Sequence, residues 1–407
     1  MLELWSINLN LYLMGAVIGQ IGGVWMFVNA GENVVLALDA QREIVWQHRI
    51  YDEPDPGNIS VMPHLIDLTG EGRWAVAYFV AHKRSKTHGE FRVVDARNGE
   101  LIWRASTKSF YGGNRDVTVC DLDGDGVREL VVGMNDRICC FRAQDGEPIW
   151  EYDDRVHICW GRSALGDLNG DGKLEIAFGT EYANSNGTSS VVVLNHNGSL
   201  LWRYDDIPGD CGSSNTEMVD VDGDGKLEVL KSEIDLEGRT GLRRSRLWCF
   251  SHNGKVRWCA DYGGQDFVVG DWEGDGELEA IGITNARDGG YGNEPEIIAI
   301  GLRDGRIKRR IKIERFWLPN WPLLADLDGD GSLELVVATG NPSGYGRIPN
   351  QPPWGDLYIV KSDGGTILQR SYPNRTLCQL AFDIDGDGRL ELIVFTGDGN
   401  VICYRMM

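Results

Sequence analysis

The sequence predicts an all-β chain wound into a propeller of eight blades, with seven as the alternative count and four antiparallel strands to a blade. Three observations carry that expectation. An acidic nine-residue loop recurs at a period near fifty residues, and each copy runs straight into an apolar, β-rich stretch. Asn-Gly or Asp-Gly pairs recur between apolar runs, and such pairs favour two-residue hairpins because both residues accept positive φ. Helical periodicity is nearly absent, and the Gly-rich connectors would break helices. Residues 1–407 therefore read as a single domain, although the length alone would suggest two or three.

The acidic loop sets the period. In the copy that starts at Asp326, carboxylates fall at positions one, three, five and nine: Asp326, Asp328, Asp330 and Glu334. Alternate side chains can converge on one point, and a hard cation with oxygen ligands relieves that crowding. Gly331 sits where the chain must turn sharply, which a residue without Cβ does cheaply. Position twelve lacks the bidentate Glu of an EF-hand, and a strand follows instead of a helix. The other intact copies supply Asp121, Asp123, Asp125 and Glu129; Asp167, Asn169, Asp171 and Glu175; Asp220, Asp222, Asp224 and Glu228; Asp271, Glu273, Asp275 and Glu279; and Asp383, Asp385, Asp387 and Glu391. About six structural Ca2+ sites are expected. A weakened copy begins at Asp67, with Thr69 and Glu71 in ligand positions and Ala75 in place of the last Glu.

Taken in order, the chain opens on Leu2–Trp5, which reads as a strand whose partners are missing nearby. Residues 9–30 are apolar, but Asn10, Gln20, Asn29 and several glycines interrupt them and no basic segment precedes them, so they read as strands and not as a membrane span. Gly19–Val28 resembles a loop and strand that have lost their carboxylates. After each later loop come an apolar strand, a variable connector, a second strand, the Gly-containing turn and a strand ending in Trp. The turns are at Asn98-Gly99, Asp145-Gly146, Asn197-Gly198, Asn253-Gly254 and Asp304-Gly305, and the tryptophans are Trp46, Trp103, Trp150, Trp202 and Trp258. In the last repeats the Trp position drifts to Lys308-Arg309 and Gln369. The C-terminus stops one strand short, at Val401–Tyr404. Pairing Leu2–Trp5 with it would close the ring and remove an exposed edge.

The formal net charge of −21 is mostly loop acidity, since the ligand positions carry three or four carboxylates per loop. With no basic excess, a nucleic-acid partner is not expected. The nine cysteines lack disulfide-framework spacing. Cys120, Cys139, Cys140, Cys249, Cys259 and Cys403 lie in apolar strand-like runs and are expected to be buried free thiols, which suits a reducing compartment. Weak calcium sites instead fill outside the cytosol, and on that ground an extracellular, periplasmic or cell-surface location is expected, for a monomer.

Asp-x-Asp-Gly-Asp-Gly-x-x-Glu followed by a strand resembles the FG-GAP/VCBS repeat of integrin α-chain propellers and of many bacterial surface and carbohydrate-active proteins, over essentially residues 1–407. An eight-bladed ring of such repeats is similar to the rhamnogalacturonan lyases. The resemblance implies that the metal loops share one face and that ligand recognition uses the other. The long connectors, Ala81–Glu90, Glu181–Ser189, Lys231–Ser245, Thr284–Pro295 and Thr339–Gly355, belong to that second face. Arg115, Trp160, Arg162, Arg315, Trp317 and Trp321 are its candidate ligand-binding residues, since aromatic planes with guanidinium forks suit acidic sugars. The leading expectation is a calcium-stabilised propeller that binds an acidic polysaccharide or a protein. The alternatives are a polysaccharide lyase acting by β-elimination and an adhesion propeller. A lyase needs a cation for the uronate and a base near C5; Arg115 and Arg162 are candidates for the first role, and His64, Tyr111 and His157 for the second.

Overall fold

The structure, a computed structural model, describes every residue except 12, 31–33, 50–62, 82–88, 108–116, 135, 155, 158–160, 181–187, 210–214, 234–244, 263–265, 284–294, 315–321, 342–351 and 407. Among the described residues there is no helix, and the strands form eight four-stranded antiparallel sheets. Blades 1 to 7 span residues 13–49, 64–107, 117–152, 164–207, 216–261, 267–312 and 323–372. Blade 8 takes three strands from 376–405 and its fourth from Leu2–Asn8. That strand pairs antiparallel with Asn400–Arg405, from Leu2 opposite Arg405 to Asn8 opposite Asn400. The ring closes as the two terminal segments required.

Each blade is built in sequence order from the axis outwards. Contacts between neighbouring sheets run through the first strands, which places them innermost. The second and third strands are buried on both faces, as in Glu129–Met134 with Arg137–Arg142 and in Glu334–Asn341 with Trp354–Val360. Their near-continuous apolar runs follow from that burial. The fourth strand alternates, as in Ile44–Arg49, because one of its faces meets solvent. Residues 9–30 supply the first two strands of blade 1, Leu13–Gln20 and Val24–Ala30, and no helix of the described residues is long and apolar enough to cross a membrane.

The tryptophans do not end their strands; they sit within them, and each latches its blade to the next. The indole Nε1–H of Trp46, Trp103, Trp150, Trp202 and Trp258 donates to the carbonyl of Ala96, Ala143, His196, His252 and Leu302, each at 2.9 Å. Every acceptor lies in the hairpin turn of the following blade, and the ring slides beneath the glycine of that turn. A Cβ on Gly99, Gly146, Gly198, Gly254 or Gly305 would lie 2.6–3.0 Å from the indole below. The turn glycine thus has two reasons to be glycine, a positive φ and a close approach. In blade 1 the same register holds Arg42, at φ 67, and its guanidinium lies over Trp5 of blade 8 at 4.7 Å. The Trp register passes to Arg309 in blade 6 and to Leu368, not Gln369, in blade 7.

A matched pair of variants separates the two roles of glycine. Gly146 has φ +76 and a blocked Cβ direction, whereas Gly126 has φ +87 and nothing within 4 Å. Gly126→Ala is expected to cost about 1 kcal/mol from backbone strain alone. Gly146→Ala should cost about 3 kcal/mol, because overpacking against the indole is added. Urea denaturation midpoints check this, and equal losses would remove the latch from the explanation.

Of the six cysteines described, Cys139, Cys140, Cys249 and Cys403 are buried, Cys120 is half-buried and all are free thiols. Cys259 is exposed, against expectation, because it falls on the solvent side of a fourth strand, Val256–Asp261.

Candidate metal centres and the axial face

The acidic loops join the first strand of a blade to its second, so they all lie on one face of the disc. Their first Asp is a structural tie. Asp121 Oδ1 accepts the Gly124 and Asp125 N–H groups while Oδ2 accepts Gly126 N–H, at 2.7–3.1 Å. Asp167, Asp220, Asp326 and Asp383 bind the equivalent glycines in the same way. Asp67 does so too, with Gly70 and Gly72, although its loop has Ala75 where the last Glu would stand. The loop conformation therefore follows from Asx-type hydrogen bonding and two positive-φ glycines, with or without a ligand set.

The last Glu is buried and divides its two oxygens. One accepts the N–H of loop position two, from Leu122, Leu168, Val221, Trp272, Leu327 or Ile384, at 2.8–3.2 Å. In five loops an oxygen of this Glu also lies within 4.8 Å of a carboxylate oxygen at position three. Ligand atoms come within 4.8 Å of one another in five groups: Asp121, Asp123 and Glu129; Asp220, Asp222 and Glu228; Glu273, Asp275 and Glu279; Asp326, Asp328 and Glu334; and Asp383, Asp385 and Glu391. Asp125, Asp171, Asp224, Asp271, Asp330, Asp387 and Asp167 sit in the same loops but outside those groups.

What fills the space between these oxygens differs from blade to blade. In blade 5, Arg257 reaches Asp222 at 2.5 Å and Glu228 at 2.7 Å. In blade 6, Lys308 Nζ lies 2.6 Å from Glu279, 3.1 Å from Asp275, 3.4 Å from Glu277 and 3.9 Å from Glu273. In blade 7, Lys361 Nζ lies 2.8 Å from Asp330, 3.2 Å from Asp328 and 3.5 Å from Glu334. In blade 8, Arg405 pairs with Asp385 at 2.7 Å, with Asp387 at 3.2 Å and with Glu391. The Lys361 ammonium, with the N–H and hydroxyl of Ser332, holds the exposed Asp330 carboxyl down at about 2. In blade 3, among the described residues, no Lys or Arg pairs with the Asp121, Asp123 and Glu129 group, and burial together with the Asp123 and Asp125 charges raises Glu129. In blade 4, Asn169 donates to Glu175 at 3.0 Å and to Asp171 at 3.3 Å. A calcium ion needs oxygens at about 2.3–2.6 Å; among the described residues, no lysine or arginine sits between the loop oxygens of blades 3 and 4, where blade 4 has the Asn169 amide instead. In blades 5 to 8, a dication placed among the loop oxygens would be repelled by the ammonium or guanidinium already paired with them. The four seated cations were missed by the sequence reading.

The opposite face is where the inner strands begin. His64 starts the inner strand of blade 2 (His64–Asp67), and Arg162 just precedes that of blade 4 (Ala164–Gly166). Arg162 bridges to Asn215, and its carbonyl accepts Thr216 N–H at 3.1 Å, which ties the mouths of blades 4 and 5 together. Burial, aided by the Arg162 charge, lowers His64 to about 4, so its imidazole is neutral at neutral pH. Burial raises Glu217 of blade 5 against the charges of Arg162 and the fully buried Lys231. Sequence reading chose His64 and Arg162 from this group but missed Glu217 and Lys231, whose inward placement only the register reveals. His157 is described, in the segment that enters blade 4, and is exposed. Tyr111, Arg115, Trp160, Arg315, Trp317 and Trp321 lie outside the described residues, as do most of the five long connectors.

Comparison with known proteins adds the family. The family model described as outer membrane protein assembly factor BamB matches residues 31–261. The outer membrane protein assembly factor BamB of Salmonella typhimurium is 27% identical over 129 residues, covering 31% of this chain and 29% of the relative. The chain thus aligns with less than a third of the length of that curated relative. Among solved structures, BamB from Moraxella catarrhalis superposes with a TM-score of 0.63 at 12% identity, covering 100% of this chain and 99% of the other. Sqt1 of Saccharomyces cerevisiae superposes with a TM-score of 0.65 at 11% identity, covering 99% and 98%. At such identities the superpositions speak for the propeller fold alone.

Proposed function

Because the chain belongs to the family described as outer membrane protein assembly factor BamB, we propose that it is a protein-binding propeller. It would hold a polypeptide segment on the face where the inner strands begin, in the cell envelope. The family match over residues 31–261 carries this reading, and a rigid ring with loops gathered at one mouth is a suitable scaffold for it. The acidic loops of the other face are proposed to take Ca2+ as a structural ion. Calorimetric titration with a denatured outer-membrane β-barrel protein tests the first part. Saturable binding that Arg162→Glu weakens tenfold or more supports it, and no heat of binding counts against it.

A second reading keeps the acidic polysaccharide and its β-elimination. The observation in its favour is the neutral His64 within reach of the Arg162 field, a base beside a carboxylate-neutralising cation. Uronate polymers incubated with the protein should then gain ultraviolet absorbance from an unsaturated product, and His64→Ala should abolish the gain.

A further inference from the structure

We infer that blades 5 to 8 carry a built-in cation that occupies the place of a metal ion, so that calcium loading is confined to blades 3 and 4. This rests on the proposal that acidic loops of this type take a divalent ion, and it restricts which of them do.

Four side chains from two unrelated positions converge on one role. In every third-to-fourth strand pairing a register shift leaves one residue of the fourth strand extra. In blade 3, Cys140 pairs with Trp150 and Phe141 with Pro148, which leaves Ile149. In blade 4 the extra residue is Leu201. In blades 5 and 6 the same site holds Arg257 and Lys308, and these are the residues seated among the carboxylates. Blade 7 has Ile367 at the shift. It supplies its cation instead from Lys361, next in register after Val360, which pairs with Glu334's neighbour Leu335. Blade 8 does likewise with Arg405, following Tyr404 opposite Leu392. A chance surface ion pair would not recur at the centre of four equivalent clusters from two different strands.

Blades 3 and 4 show the contrast. Arg142 stands directly opposite Glu129 in blade 3, the register that delivers Lys361 and Arg405 elsewhere. Asp145 of the neighbouring turn turns it away, with bonds of 2.8 Å from Nε and 2.7 Å from Nη2. Among the described residues, the Asp121, Asp123 and Glu129 group is left without a cation of its own. Blade 4 has Leu201 at the shift, and its Lys173 lies 3.2 Å from His196 instead of among the acids.

The experiment counts ions. Protein stripped with EDTA is titrated with calcium chloride by calorimetry, and bound ions are counted by native mass spectrometry. The wild type should saturate at no more than two, and Lys308→Met should bind one ion more than the wild type. Lys361→Met should do the same in blade 7, which keeps the test open if one variant does not fold. As a second readout, calcium should raise the melting temperature of Lys361→Met more than that of the wild type. Three or more ions on the wild type, or no added ion on either folded variant, overturns the inference. Six ions on the wild type would leave the calcium proposal standing without it. A wild type that binds none, with variants that bind one, would uphold the built-in cations of blades 5 to 8 and overturn the loading of blades 3 and 4.

Discussion

Replacing Trp103 by alanine is expected to cost about 4 kcal/mol of stability, the range for a large aromatic removed from a packed site. The side chain is buried between Phe91 and Phe141, with ring centroids 5.8 and 5.6 Å away. Its N–H is the hydrogen bond from blade 2 to the Ala143 carbonyl of blade 3. Truncation would empty the slot beneath Gly146 and leave that carbonyl without its donor. Leu101, in the same strand and 52% exposed, provides the control: Leu101→Ala should change stability by no more than about 0.5 kcal/mol. Urea denaturation of the two variants side by side is the measurement, and similar losses would show that the indole is surface covering and not a latch.

A chain lacking residues 1–8 should suffer a still larger loss. Six residue pairs join Leu2–Asn8 to Asn400–Arg405, and each backbone hydrogen bond is worth about 1 kcal/mol net. Trp5 and Ile7 also pack on the cluster that contains Val401 and Cys403. The truncated protein would expose a strand edge of blade 8, a template for pairing with other chains. Concentration-dependent association in light scattering is expected, reversed by adding a peptide of residues 1–8. A truncated protein that stays monomeric and melts with the full chain would mean that the closing strand is dispensable.

The propeller was legible because most blades repeat the same punctuation. The acidic loop marks the first turn, the Asn-Gly or Asp-Gly pair marks the third, and both encode local backbone geometry that sequence expresses directly. Ring closure was legible for a related reason, since Leu2–Trp5 and Val401–Tyr404 each lacked a neighbour. The filling of the loops was not legible. Lys308 lies 29 residues from Glu279 and Lys361 lies 31 from Asp330, and nothing local distinguishes them from solvated basic residues such as Arg306. Only the register shift in the outer hairpin turns Arg257 and Lys308 inwards, and a one-residue slip would send them to the other side. The face where the inner strands begin was the least legible part, because Arg162 comes near Glu217 of blade 5 only when neighbouring blades assemble around the axis.

The closing strand also imposes an order on biosynthesis. A ribosome makes Asn8 392 residues before the Asn400 it will touch, which at about 5–20 residues per second means a wait of roughly 20–80 s. Throughout that interval Leu2–Asn8 must stay soluble and avoid foreign partners while seven blades assemble behind it. Its Leu2 and Leu4, exposed even in the finished ring, leave apolar surface open on this strand for the whole of that wait.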